Sequence, residues 1–213
     1  MPFDPSRFPL PASPPYAPGT SPYRVAGVVY KSLLGFVAES VPGGLDRVKR
    51  ELRDPALVAF VSAPFALTST ADVVPLPYLG QAIARARGVT FEQQVRDANR
   101  WSARSSFYEV YRALLPIASP EALTVALTRA VTIIQPFGGM KAEALRSTGV
   151  RGERTGVPSV LVAWMVFSTS AFLQTALERI GSRAVHAVFD VPIEEERAGG
   201  EATYTLPFEI TWS

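Results

Sequence analysis

The sequence contains one histidine, His186, and no cysteine. Those two counts decide most of the chemistry. Without thiolates there is no disulfide, no cysteine nucleophile, no Cys-ligated zinc and no iron–sulfur cluster. With one imidazole, no His₂ or His₃ metal site forms within one chain. A general base would have to be His186 with Asp190 or Glu194 close by, and it would need a nucleophile or substrate pocket that no motif supplies. A lone histidine on a strand face is more often solvated. Glu194-Glu195-Glu196 is a run of acids, which in a loop is normally solvated rather than cation-binding. Ser168-Thr169-Ser170 interrupts an apolar helix; such hydroxyls either line a pocket or bond back to helix carbonyls. Arg104, Tyr108, Tyr111 and Arg112 fall on successive helical turns and form a candidate surface for an acidic partner, the alternative being tyrosine packing with exposed arginines. Arg146, Arg151 and Arg154 cluster around a turn and read either as a partner patch or as an exposed sheet face. Gly43-Gly44 and Gly138-Gly139 lack the length and lysine of a phosphate loop. No catalytic residue, metal site or cofactor is expected.

These residues need positioning elements, and the dominant one is Val157–Ile180. Its apolar residues cover nearly the whole helical circumference, which marks either a core helix or a membrane span. The unbroken apolar run is only Val160–Phe167, short of the roughly 20 residues that a span needs. A core helix is therefore expected, with Pro158 in its first turn and Gly181 ending it. Trp164, Met165, Phe167 and Phe172 are the candidate walls of any pocket beside it.

The chain before this helix reads as helices. Asp54-Pro55, Thr90 with Gln93, and Ser119-Pro120 are start signals. Segments 32–40, 45–52, 55–61, 76–87, 91–103, 106–115 and 120–134 follow from the pattern, with 62–75 as a loop. After Gly138-Gly139 the pattern alternates. Segments 140–147 and 150–156 predict a hairpin, 183–191 a strand, and 203–212 a last strand with Tyr204, Leu206, Phe208, Ile210 and Trp212 on one face. Pro207 predicts an edge position or a bulge there. The fold class is α+β: a helical N-terminal half, then β-β-α-β-β, with an antiparallel sheet packed on the long apolar helix.

Residues 1–22 hold eight prolines and form neither helix nor central strand. They read as a solvated tail or as an arm on its own domain or a neighbouring chain, anchored by Phe3, Phe8, Leu10 and Tyr16. Residues 23–213 read as a single domain. The composition, 47% hydrophobic and 19% charged with a formal charge of +2, supplies ample core and gives no electrostatic reason to expect nucleic acid. A cytoplasmic protein is the default.

Three stretches carry a resemblance: Pro75-Leu-Pro-Tyr-Leu, Phe91-Glu-Gln-Gln-Val, and Phe107-Tyr-Glu-Val-Tyr-Arg-Ala-Leu-Leu-Pro-Ile-Ala-Ser-Pro-Glu-Ala-Leu. With the element order over 23–212, they resemble a myxobacterial paralogous family of domains of unknown function. That resemblance implies a distant fold relation to heme–nitric-oxide-binding domains, vinyl-reductase-type ligand-sensing domains and TRAPP vesicle-tethering subunits. The family's Gly-Asp-Pro-x-Cys-like turn is replaced by Ala198-Gly-Gly-Glu-Ala-Thr-Tyr, so no role of that cysteine carries over. The helical histidine and Tyr-x-Ser-x-Arg clamp of the heme domains are absent, which points away from heme. The sequence favours a non-enzymatic protein-association module, acting as a homo-oligomer or within a larger assembly. The alternative is a sensory domain that takes a small apolar ligand beside the central helix.

Overall fold

The computed structural model describes residues 3–105, 119–145, 148–195 and 202–213. The helical part comprises α1 (Gly27–Ser40), α2 (Gly44–Glu51), α3 (Pro55–Ser62), α4 (Pro75–Arg87), α5 (Phe91–Arg104) and α6 (Pro120–Ile133). A short antiparallel pair, β1 (Arg24–Ala26) and β2 (Thr70–Asp72), ties the start of α1 to the segment before α4. The start signals act as the sequence implies: Asp54, Thr90 and Ser119 each accept a hydrogen bond from a backbone N–H of the first turn they cap. Gly88, at φ +69°, closes α4 in the left-handed conformation that glycine adopts without a Cβ penalty. The expected helix over 106–115, with Tyr108, Tyr111 and Arg112, lies outside the described residues.

The second half builds one antiparallel sheet from β3 (Gly139–Ala144), β4 (Gly149–Pro158), β5 (His186–Phe189), β6 (Ile193–Glu194) and β7 (Thr203–Thr211). The order is β3-β4-β7-β5, with β6 also pairing β7. Between β4 and β5 runs α7 (Val162–Arg179), entered through the 3₁₀ turn Ser159–Leu161. The predicted α+β class and element order are therefore found, with a sheet packed against a long apolar helix.

Three local readings change. The loop 62–75 contains β2, whose three residues are too few to alternate. Pro158 ends β4 rather than starting a helix. β7 is interior, between β4 and β5, not an edge. Pro207 is tolerated because the Asp190 N–H donates to its carbonyl at 3.0 Å. Its missing N–H faces that same flank, in the gap where β5 has ended and β6 has not begun. The irregularity lies instead on β4, where the register with β7 shifts between Arg154 and Val157.

By length and composition Ser159–Arg179 could cross a membrane, but 83% of its apolar window is buried inside the fold. It is a core helix. α5 packs along it, β5 supports its far end, and α6 lies over β3 and β4. Leu161, Val162 and Ala171 are fully buried.

The proline-rich segment is laid along its own chain. The Phe3 N–H donates to the Phe189 carbonyl at 3.1 Å. The Phe3 ring stacks on Phe8 (6.0 Å) and meets Phe167 edge-on (5.9 Å), and Phe8 meets Tyr204 at 5.0 Å. The Tyr78 hydroxyl donates to the Ser13 carbonyl at 2.9 Å, and burial pushes its pKa up to about 12. Tyr16 packs against Tyr23, and Leu10 against the core. At the end of the arm, buried Asp72 accepts from the Gly19, Ser21 and Val74 N–H groups and from the Ser21 hydroxyl. A buried carboxylate is tolerable only when satisfied in this way.

A candidate ligand cleft beside the central helix

Three small cavities run in line along one side of α7. The middle one, about 120 Å³, lies between α7 and α6 and is lined by Trp164, Thr169, Phe172, Leu173, Leu127 and Ile134, among others. A second, about 40 Å³, shares Val29, Asn99 and Trp164 with it and extends to Gln94 on α5. A third, also about 40 Å³, shares Leu127, Gln135, Thr169 and Leu173 with the middle one and extends to Met165, Phe208 and Arg154. Helical periodicity explains the lining: residues 165, 169 and 172 recur at intervals of three and four.

Among the described residues, two buried side-chain polar atoms lack a hydrogen-bond partner, Gln94 Nε2 and Arg154 Nε. They belong to residues at the two ends of this row of cavities. Buried donors are almost always paired in folded proteins, so an orphan requires a reason. Gln94 is fixed through its Oε1, which accepts from Arg87 at 2.6 Å, while Arg87 also pairs with Asp97 at 3.0 Å. Arg154 is only 2% exposed. Its terminal nitrogens donate to the carbonyls of Gly139 (2.8 Å), Phe137 (2.5 Å), Thr155 (3.2 Å) and Gln135 (3.4 Å), and its guanidinium lies over the Phe137 ring at 4.8 Å. Gly138 and Gly156 make that crossing close: a Cβ on Gly138 would lie 2.0 Å from the Thr155 carbonyl oxygen.

Of the predicted wall residues, Trp164, Met165 and Phe172 line the cavities. Phe167 does not. It lies two residues from Thr169, hence across the helix, where it meets Phe3, Phe91 and the Arg96 guanidinium. Ser168 and Ser170 both donate to helix carbonyls, and Thr169 lines two cavities. Arg104 is exposed at the end of α5, and its carbonyl accepts from Arg179 at 2.8 Å. Phe3, Phe8 and Tyr16 are engaged on their own chain. Arg146 and Glu196 lie outside the described residues.

Arg151 points to the outer sheet face and pairs with Glu143 at 2.6 Å, next to a Lys141–Glu153 pair at 3.0 Å. That face holds a broad, open hollow of about 430 Å³, bordered by such solvated pairs, which are individually weak. His186 is exposed on β5, away from the cleft residues. Glu195 latches β4 to β7. Burial opposes its charge, but hydrogen bonds from the Gly156 N–H and the Thr205 and Thr203 hydroxyls prevail and lower its pKa. No cluster of three acidic, His or Cys residues suited to a metal occurs among the described residues.

Sequence reasoning missed Gln94 and the inward role of Arg154. Strand parity carried the second signal: Val150, Gly152 and Arg154 share a face of β4, opposite Arg151 and Glu153.

The architecture around this cleft is that of the H-NOX domains. A Cs H-NOX mutant carrying 4-cyano-L-phenylalanine superposes with a TM-score of 0.60 at 9% identity, covering 88% of this chain and 96% of that one. An oxygen-binding H-NOX domain related to soluble guanylate cyclases gives 0.59 at 10%, covering 88% and 92%. A structure that addresses the molecular mechanism of H-NOX activation gives 0.58 at 11%, covering 88% and 94%. At such identities the likeness is one of fold. No protein-family model matches the sequence, and no curated protein matches it.

Two further structural neighbours concern heme or porphyrin distortion. Axial ligands come from His, Cys, Met or Tyr. The cavities beside α7 present only methionine sulfur: Met165, and Met140. They measure about 120 Å³ at most, below the roughly 300–1,000 Å³ of ordinary cofactor pockets. The described residues that line these cavities do not fit heme.

Proposed function

We propose that this chain is a small-ligand-binding sensory domain whose ligand is a compact, mainly apolar molecule held in the cleft between α6 and α7. The observation that carries this reading is the row of cavities beside α7. The middle cavity, about 120 Å³ and open on one side, has room for a small molecule. The H-NOX-like fold supports the same direction, with heme replaced by something smaller. No catalytic step is part of the proposal. The narrower kinship with the myxobacterial family belongs to it too, resting on Pro75–Leu79 and Phe91–Val95 among the described residues.

The test is a thermal-shift and tryptophan-fluorescence titration with toluene, since Trp164 borders two of the cavities. Saturable stabilisation with a change in Trp164 emission, both abolished by the cavity-filling Leu173→Trp, is the expected result. No stabilisation in the unaltered chain would refute the reading.

Association with a partner is a second reading. It is supported by the apolar Val188 and Ile193, 52% and 59% exposed at the β5–β6 edge of the sheet. Exposed apolar side chains at a sheet edge favour contact with other chains. Sedimentation at tens of micromolar checks it: an oligomer that Val188→Lys dissociates supports it, and a monomer refutes self-association.

A further inference from the structure

The proline-rich arm and the cleft meet at one residue. Phe189 is a wall of the small cavity beside Met165 and Thr169, and its carbonyl accepts the Phe3 N–H at 3.1 Å. Strand geometry sets the direction of that bond. The Asp190 N–H points to β7, so the backbone groups of Phe189 point the other way, to the outer edge of the sheet. β5 is four residues long and stands at the end of the strand order. The arm tip therefore braces Phe189 from outside. The arm itself is fastened unequally. At its far end the Gly19 and Ser21 N–H groups and the Ser21 hydroxyl donate to buried Asp72, and midway the Tyr78 hydroxyl holds the Ser13 carbonyl. At the tip the fastening is the bond to Phe189 and the rings of half-buried Phe3 on Phe167 (5.9 Å) and Phe8 on Tyr204 (5.0 Å), while residues 4–7 are exposed. An element held this way opens at its tip before its root.

Resting on the proposed cleft, we infer that the arm is a strap that the ligand opens: an apolar body reaching from the middle cavity into the Phe189 cavity pushes Phe189 outward and frees the Phe3–Phe8 tip from β5 and α7. The two cavities share Thr169, Leu173 and Leu127, so one molecule spans both. The Phe189 cavity measures about 40 Å³ against about 120 Å³ for the middle one. In a packed interior, a body that enters so small a space displaces a wall. Of the two strand-borne rings there, Phe208 lies on β7, which is paired on both sides, and Phe189 ends the short outermost β5. Phe189 yields first. Ligand and docked tip then oppose each other, and linkage makes the opposition reciprocal: loss of the tip tightens ligand binding by the factor with which the ligand loosens the tip.

The experiment uses the full chain with toluene as the probe. Trypsin cuts after exposed Arg7, and intact mass reports the loss of residues 1–7 with no substitution in the chain. Where cleavage follows the population of the open form, saturating toluene should speed that cut about fivefold or more, the lower end of ordinary coupling between sites. Leu173→Trp, which fills the cleft, should abolish the acceleration. Calorimetry on a chain carrying Phe3→Ala and Phe8→Ala should show toluene bound tighter by about the same factor, and the trypsin result stands whether or not that variant folds. Toluene binding with an unchanged or slower Arg7 cut would overturn the strap and leave the cleft standing. So would an unchanged toluene affinity in the folded double variant. No toluene binding to the unaltered chain would overturn the strap and the cleft together.

Discussion

The two sides of α7 are built to different standards. On the Phe167 side the arm closes over the helix: Phe3, Phe8, Phe91 and Tyr204 interlock, and Arg96 reaches both the Phe167 face and the Ser170 hydroxyl. At the far end of the arm, buried Asp72 accepts from four donors. On the Thr169 side, two cavities lie between the helix and Leu127 of α6 and a third lies among α1, α4, α5 and Trp164; Gln94 and Arg154, which border this row, each retain an unpaired donor. A fold that packs one face this closely shows that the looseness of the other is not a general failure of packing. Voids and unpaired donors on one face are what the proposed ligand site rests on.

This contrast can be broken by mutation. The largest effect is expected from Phe167→Ala, about 3–5 kcal/mol lost in urea unfolding, because the arm cannot collapse into the gap. Phe172→Ala, bordering an existing cavity, should cost clearly less; equal losses would erase the distinction between the faces. Asp72→Ala should cost about 3 kcal/mol by stranding buried N–H donors, and limited proteolysis should then release the arm. Enlargement should separate the faces in the opposite sense. Ser170→Leu should destabilise by about 1–3 kcal/mol through overpacking. Thr169→Leu should be neutral or stabilise by about 0.5–2 kcal/mol as a cavity filler.

The smallest effect is on pH. The folded pKa of Glu195 lies below its ordinary 4.5. The stability that it contributes is complete above that ordinary value and is lost as pH falls through the lower folded value. Glu195→Gln should flatten the acid limb of the stability profile, and an unchanged limb would remove Glu195 as its source.

Much of the frame was readable from the sequence because its signals are local. Asp54, Thr90 and Ser119 announce helices through side-chain oxygens, and the alternation from Tyr204 to Ile210 fixes the buried face of β7. The site was less readable because its signals are not local. An all-round apolar helix gives no preference among faces, so Phe167 and Trp164 look equivalent until the arm is placed against one of them. Pro207 reads as an edge residue unless the gap between β5 and β6 is known. Arg151 and Arg154 look alike in a basic turn, yet one pairs with Glu143 at the surface and the other is enclosed. The unpaired edge of Arg154 depends on how distant segments meet around it, and no local pattern encodes that meeting.

The most direct test of the central claim is a crystal structure of the chain under xenon pressure, since xenon enters dry apolar cavities without chemistry of its own. The account predicts xenon between α6 and α7, against Trp164, Phe172 and Leu173, and none between the arm and Phe167. Xenon beneath the arm, or no site beside α7, would contradict it.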